Sequence, residues 1–281
     1  MPLDYRSQYA DVLGHQIHYT EWGRADAPVV LVCHGHTRNC HSADVLAEAL
    51  ADEWRVICPD VIGRGISSWS KDPENEYRSD FYVKLLAALV DHLGIDRLAW
   101  IGTSMGGRLG LLAAAGVLRD RIHSFVINDM GPVRGAAVRQ RIGGYMAKEV
   151  MRDTMPEMEA YFRQVYKPQG MLTDAQWRRF AETSSRRLPD GRFTTLHDPR
   201  VADELIQGKL QEDMWPEWDR IVARTLVLRG IESDVLLPQT ADEMTRRGPK
   251  ARLAVIPGCG HTPALNVPEQ IGIVRTFLGG G

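Results

Sequence analysis

The sequence predicts an α/β fold organised around one mainly parallel sheet, on three observations. Short runs that are apolar throughout, such as Val29 to Cys33, alternate with longer segments of helical period. Strands covered on both faces read that way, and the helices between them supply the right-handed crossovers that parallel neighbours need. The alternation stops near Gly131 and resumes after Trp215, so one sheet is interrupted rather than followed by a second.

The first elements are a hairpin. Tyr9 to Leu13 and Gln16 to Trp22 flank Gly14 and His15, and the alternation of Ile17, Tyr19 and Glu21 suits the edge of a sheet. After the turn Gly23 to Pro28 come a strand at Val29 to Cys33, an amphipathic segment at Ala43 to Trp54 and a strand at Arg55 to Pro59. Ser79 to Gly94 repeats the helical period. Leu98 to Gly102 is the next strand, Gly106 to Leu118 its helix and Ser124 to Ile127 a further strand.

Between about Gly131 and Trp215 there is no buried-strand run. Helical stretches are expected at Val138 to Val150, Met155 to Tyr166 and Asp174 to Ser184, then a loop from Pro189 to Pro199. The segment is rich in Met, Arg and aromatics, among them Tyr161, Phe162, Tyr166, Trp177 and Phe180. Most of these are expected to form the segment's own core, with the rest as the adaptable underside of a lid over a pocket. Strand and helix then resume with Thr225 to Arg229, Gln239 to Arg247, Leu253 to Ile256 and Pro268 to Leu278. The domain reading is a core of 1–132 and 216–281, carrying a helical cap of 133–215 inserted after the sixth strand.

Composition excludes several function classes. The chain has 281 residues, is 44% hydrophobic and 25% charged, and carries a net charge of −2, as an ordinary soluble protein does. Nothing resembles the sustained basic stripe that nucleic acid requires. No stretch approaches the roughly 18 uninterrupted apolar residues of a membrane span, and Met1 to Tyr9 has no apolar core for a signal peptide. A cytoplasmic enzyme acting on a small molecule is therefore expected, as a monomer or homodimer.

Gly102, Thr103, Ser104, Met105 and Gly106 spell Gly-x-Ser-x-Gly between a strand and a helix. In that setting the pentapeptide is a nucleophile elbow, whose sharp bend tolerates only small neighbours. A serine hydroxyl is a poor nucleophile near pH 7 and needs an imidazole to take its proton. His261, in the loop Gly258 to Pro263 after the last strand, is the candidate. His15, His18, His92, His123 and His197 lack such placement and read as surface or structural residues.

The orienting acid should end an earlier strand. Asp234, after the strand that resumes the sheet, is the first choice; Glu232 would have to reach from nearer the turn, and Asp129, which also ends a strand, is the rival. Ser104, Asp234, His261 is the chain order expected on this kind of sheet. Backbone N–H groups of Met105 and His36 are the expected oxyanion donors, the first at a helix N-terminus and the second just after His34 and Gly35.

The four cysteines make no disulfide framework. The stretch Cys33 to His41 is dense in possible metal ligands, and His36 and His41 loosely meet one zinc spacing, but no distal pair accompanies them. No metal and no cofactor are expected.

These residues resemble the α/β-hydrolase superfamily. His34 and Gly35 match its His-Gly oxyanion turn, Asp60, Gly63, Gly65 and Ser67 its Asp-x-x-Gly-x-Gly-x-Ser loop, and Ser104, Asp234 and His261 its triad. The resemblance spans the chain apart from the lid. It implies about eight mostly parallel strands and an active site at their C-terminal ends beneath a helical cap. Some relatives take their acid from the position of Asp129. Ser104 argues against the haloalkane dehalogenases, in which an aspartate is the nucleophile. Gly102 to Gly107 also looks like the elbow of the meta-cleavage product hydrolases, which cut carbon-carbon bonds; those usually carry a tryptophan after the catalytic histidine, where this chain has Thr262. The expectation is hydrolysis of a small carboxylic ester or lactone through an acyl-Ser104 intermediate, with carbon-carbon hydrolysis as runner-up and a non-catalytic ligand receptor as a third class.

Overall fold

Among the described residues ten strands form in chain order: β1 (Tyr5–Val12), β2 (His15–Trp22), β3 (Val29–Cys33), β4 (Arg55–Pro59), β5 (Leu98–Thr103), β6 (Ile122–Asn128), β7 (Ser185–Arg187), β8 (Phe193–Thr195), β9 (Arg224–Gly230) and β10 (Arg252–Ile256). The computed structural model describes residues 4–133, 144, 149–207, 210 and 213–280. Eight strands make one sheet in the order β1-β2-β4-β3-β5-β6-β9-β10, with β7 and β8 paired separately. In the sheet β2 pairs antiparallel with β1 and with β4; every other neighbouring pair is parallel. The edge is β1, whereas β2 is bonded on both sides, so Ile17, His18, Tyr19 and Thr20 are all buried.

Burial on both faces explains the unbroken apolar runs. Leu31 and Trp100 pack with the helices Ser79–His92 and Met105–Ala115 on one face. Val30, Val32 and Ile101 pack with Asp44–Leu50 and Pro268–Gly279 on the other.

Glycine lets the helix Met105–Ala115 sit against the strands. A Cβ at Gly106 would lie 2.1 Å from the carbonyl oxygen of Cys33, and one at Gly102 would lie 2.2 Å from that of Gly106. The Trp100 indole N–H donates to the Gly106 carbonyl at 3.0 Å, fixing the close approach.

A buried loop after β4 supports the chain leaving β3. Asp60 accepts from the backbone N–H of Cys40 at 2.7 Å and of Ile66 at 3.1 Å, and from His18 Nδ1 at 2.8 Å. Burial alone would raise its carboxyl, but the hydrogen bonds from His18 and from the Cys40 N–H outweigh it and hold it below the ordinary range. Gly65 turns back with φ +54, and a Cβ there would strike the Asp60 carboxylate at 2.0 Å. His34 donates from Nδ1 to the Gly35 carbonyl at 2.7 Å and accepts the Val61 N–H on Nε2 at 3.0 Å, so its ring is neutral and fixed. His18 and His34 are thus parts of the interior rather than surface groups.

Between β6 and β9 the helices Met155–Val165 and Asp174–Ser184 each begin with a capping box, Thr154 with Glu157 and Thr173 with Gln176. Met158, Phe162, Trp177, Phe180 and Phe193 form a cluster of their own. The expected loop at 189–199 contains β8, which pairs with β7. These three-residue strands are too short and too polar to show as a buried run. The helix expected at 138–150 falls mostly outside the described residues. Among the described residues no helix is long and apolar enough to cross a membrane.

Gly106→Ala should lower stability by about 3 kcal/mol, the overpacking cost where backbone meets backbone; a loss below about 1 kcal/mol in urea unfolding would show that the helix shifts freely. A second expectation concerns pH. Burial pushes His34 and His197 down to about 4. Each is neutral when folded, so its contribution is complete above the unfolded value near 6.5 and declines as pH falls toward 4, where unfolded chains bind protons that folded ones refuse. Stability should drop by about 1.4 kcal/mol per pH unit for each group, and His197→Gln should flatten that slope.

Candidate active site

Ser104 sits where β5 turns into the helix Met105–Ala115, with φ 51 and ψ −107. A positive φ is strained for a residue with a Cβ, and neighbouring bonds impose it. The Ser104 N–H donates to the Asn128 carbonyl at 3.0 Å, the Gly106 N–H to that of His34 at 3.1 Å, and the Arg108 N–H to that of Ser104 at 3.0 Å.

His261 lies in the loop after β10. The Gly260 N–H donates to the Pro168 carbonyl at 2.7 Å, and the Asn128 side-chain amide to that of Pro263 at 2.9 Å. His261 Nε2 is 2.9 Å from Ser104 Oγ, and Nδ1 is 2.7 Å from Asp129 Oδ2. The carboxylate on the imidazole is therefore that of Asp129, not the expected Asp234. Asp129 is fully buried, directly follows β6 and has φ 56. It also accepts the Gly230 N–H on Oδ1 at 3.1 Å and the Ser233 hydroxyl on Oδ2 at 2.6 Å. Ser233 Oγ in turn accepts the N–H groups of Val235 and Leu236, both at 3.2 Å, which leaves its proton for Asp129.

The reason is the fold of the loop after β9. Arg229, itself buried, donates to the carbonyls of Leu236 at 2.8 Å, Ile231 at 3.2 Å and Ser233 at 3.2 Å. The loop wraps around this guanidinium and turns Ser233 onto Asp129, while Asp234 borders the cavity over Ser104. Sequence reasoning missed Ser233 and Arg229; an arginine inside a strand otherwise buried throughout was the available signal.

His36 and Met105 border the same cavity as Ser104. One buried residue grips both: Arg64 donates from Nε to the His36 carbonyl at 2.8 Å and from Nη2 to Met105 Sδ at 3.5 Å, while Nη1 reaches Tyr82 Oη at 2.6 Å. Arg64 stands between the two glycines of the Asp60 loop, so that loop fixes the positions of His36 and Met105. The His36 ring donates from Nε2 to the Val201 carbonyl at 2.7 Å, which sets its tautomer and ties it to the inserted segment.

The cavity over Ser104 measures about 120 Å³. Engineered cavities of similar size take benzene, so a short acyl or alkyl group fits. Tyr166, Val165, Pro168 and Leu205 from the inserted segment line it, whereas Tyr161 and Trp177 belong to that segment's own cluster. His18, Cys40 and Asp60 have possible metal-ligand atoms within 4.8 Å of one another. Both Asp60 oxygens already accept protein hydrogen bonds, and His18 Nε2 is engaged by Ser7 at 2.9 Å. His41, from the ligand-dense stretch, contacts Asp44 at 3.1 Å.

Comparison with known proteins places this geometry in context. The 3-hydroxybutyrate-oligomer hydrolase of Cupriavidus necator is 35% identical over 278 residues, covering 95% of this chain and 94% of that protein. An alpha/beta hydrolase from Novosphingobium aromaticivorans superposes with a TM-score of 0.88 at 34% identity, covering 98% of both chains. A putative hydrolase from Rickettsia typhi superposes at 0.90 with 26% identity, covering 99% of both. Residues 29–271 match the profile described as the alpha/beta hydrolase family. With that match spanning six of the eight strands of the sheet, β3 to β10, this chain belongs to the alpha/beta hydrolase family.

Proposed function

We propose that this protein hydrolyses small carboxylic esters through an acyl-Ser104 intermediate, with Asp129 rather than Asp234 as the acid of the triad. The observation that carries the reading is the continuous chain from Ser104 Oγ to His261 Nε2 at 2.9 Å and from His261 Nδ1 to Asp129 at 2.7 Å. His261 takes the Ser104 proton as the oxygen attacks the ester carbon, then delivers it to the departing alcohol oxygen. Water, deprotonated by the same imidazole, releases the acid and restores Ser104. Asp129 holds the imidazole in the Nδ1–H tautomer and stabilises the imidazolium.

Backbone N–H groups of Met105 and His36 meet the negative charge of the tetrahedral intermediate. The described residues between β6 and β9 act as a cap over the cavity, through Val165, Tyr166, Pro168 and Leu205. The relative from Cupriavidus necator supports an ester substrate, because oligomers of a hydroxy acid are joined by ester bonds. Carbon-carbon hydrolysis is the runner-up, and Thr262 in place of a tryptophan after His261 weighs against it.

A fluorophosphonate probe should add one covalent mass at Ser104; its absence would sink the enzyme reading. Ser104→Ala and Asp129→Asn should each lower kcat on a short-chain aryl ester by about 10⁴-fold with Tm little changed. Asp234→Asn should cost less than about tenfold, since it borders the cavity while Asp129 holds the imidazole Nδ1. The reverse ranking would return the acid to Asp234. Rapid cleavage of a vinylogous dienone acid with no action on esters would favour carbon-carbon chemistry.

A further inference from the structure

Two cavities meet at one wall beside Ser104. One holds Ser104 and His261; the other, of about 110 Å³, extends toward His41, Asp44 and Phe180. Arg38 borders both, together with Gly35, Thr103, Gln169 and Thr262, and is the one cation among the described residues of that wall. A Cβ built on Gly35 would lie 3.7 Å from Arg38 Cγ and 3.9 Å from Ser104 Cβ, so a single small residue separates the arginine stem from the serine.

Arg38 is 6% exposed, and its Nη1 donates to Ser184 Oγ at 2.6 Å. Its guanidinium carbon is 3.2 Å from the centre of the Phe180 ring and 5.5 Å from that of Tyr166. Among the described residues no carboxylate lies within 4 Å of it. Asp44 is taken by Arg179, whose Nε donates to it at 2.7 Å, and by His41. Nε and Nη2 of Arg38 make no hydrogen bond to the described residues, yet neither is among the sealed, unpaired buried atoms. They are not sealed from solvent, and the residue that carries them lines both cavities.

Burial pushes Arg38 down to about 10, with Tyr166 and Asp44 opposing, so it is cationic at neutral pH. A buried cation without an anion in contact is costly, and a planar guanidinium with two open nitrogens matches a carboxylate. Arg108 adds a second positive charge to the Ser104 cavity. The facing acids are Asp234 and Glu204, and Glu204 accepts from the Ser79 N–H at 2.9 Å and hydroxyl at 3.0 Å.

We propose that Arg38 docks a carboxylate carried by the alcohol part of the substrate, so that the enzyme selects esters of short hydroxy acids with a free acid end and cleaves from that end. This rests on the ester-hydrolase reading above. In a dimer of a 3-hydroxy acid the carboxylate stands about 5 Å from the scissile carbonyl carbon, four bonds away. With the carboxylate on Arg38, Ser104 Oγ bonds to the acyl carbon, the carbon-oxygen bond to the hydroxy acid breaks, and His261 protonates the departing oxygen.

The test uses the linear 3-hydroxybutyrate dimer and its methyl ester, which differ in the charge of the acid end. Wild type should favour the free acid by at least about tenfold in kcat/KM, as expected for a charge-assisted contact. Arg38→Gln should collapse that ratio toward one, through KM, and Arg38→Lys should restore part of it. An unchanged ratio in Arg38→Gln, or an equal loss on both substrates without rescue by lysine, would reduce Arg38 to a tether between the loop and Ser184. Binding of both compounds to Ser104→Ala, with and without Arg38→Gln, is measured by calorimetry. If neither ester is turned over and Ser104 takes no fluorophosphonate, the ester reading fails. The calorimetric arm then decides alone: equal affinity for acid and methyl ester overturns the assignment, and a preference that Arg38→Gln removes supports it.

Discussion

The approach of the helix Met105–Ala115 to β3 and β5 is the constraint on which the site depends. Gly106 lies so close to the Cys33 carbonyl that no side chain fits, and the Trp100 indole fixes it there. This contact forces Ser104 into its positive-φ turn between strand and helix. A strained turn persists only where surrounding packing over-determines it, and here the strands are buried on both faces. The hydroxyl therefore emerges at the C-terminal end of β5, where β3, β6 and β10 also deliver their loops.

Three buried charged groups then set the loops. Asp60 anchors the chain that follows β3, Arg64 joins the His36 carbonyl to the Met105 sulfur, and Arg229 folds the segment after β9. Each saturates backbone groups that would otherwise be buried without partners, which offsets the desolvation of its own charge. Arg38 differs from them. It has one side-chain hydrogen bond, an aromatic face and two nitrogens with no hydrogen bond to the described residues, so its charge is the least compensated of the buried arginines described. That asymmetry separates a group that builds the site from one available to a ligand.

The sheet was legible because two-sided burial leaves apolar runs, and Val29–Cys33 and Arg55–Pro59 need no tertiary information to be read. The elbow was legible because its glycines answer to a local steric limit. β7 and β8 were not, since their three residues each carry too little pattern. The positions of Asp129 and Asp234 could not be ranked from sequence, because both end strands. What separates them is where Arg229 folds the intervening loop, a long-range consequence that periodicity does not encode. Arg38 and Arg64 escaped for a related reason: an arginine in a loop reads as solvated until the packing around it is known.

Placing the carboxylate after β6 has a physical consequence for the cavity. The strand order puts β6 beside β5, so Asp129 approaches His261 from the strand next to the one that carries Ser104. It is fully buried there and accepts three hydrogen bonds, from His261, Ser233 and Gly230. The loop after β9 contributes Ser233, whose hydroxyl donates to Asp129, and Asp234, which borders the cavity. A carboxylate at the cavity surface disfavours anions nearby, whereas Arg38, which borders the same cavity, favours them. On the assignment proposed for Arg38, these two charges orient a substrate with one charged end relative to Ser104.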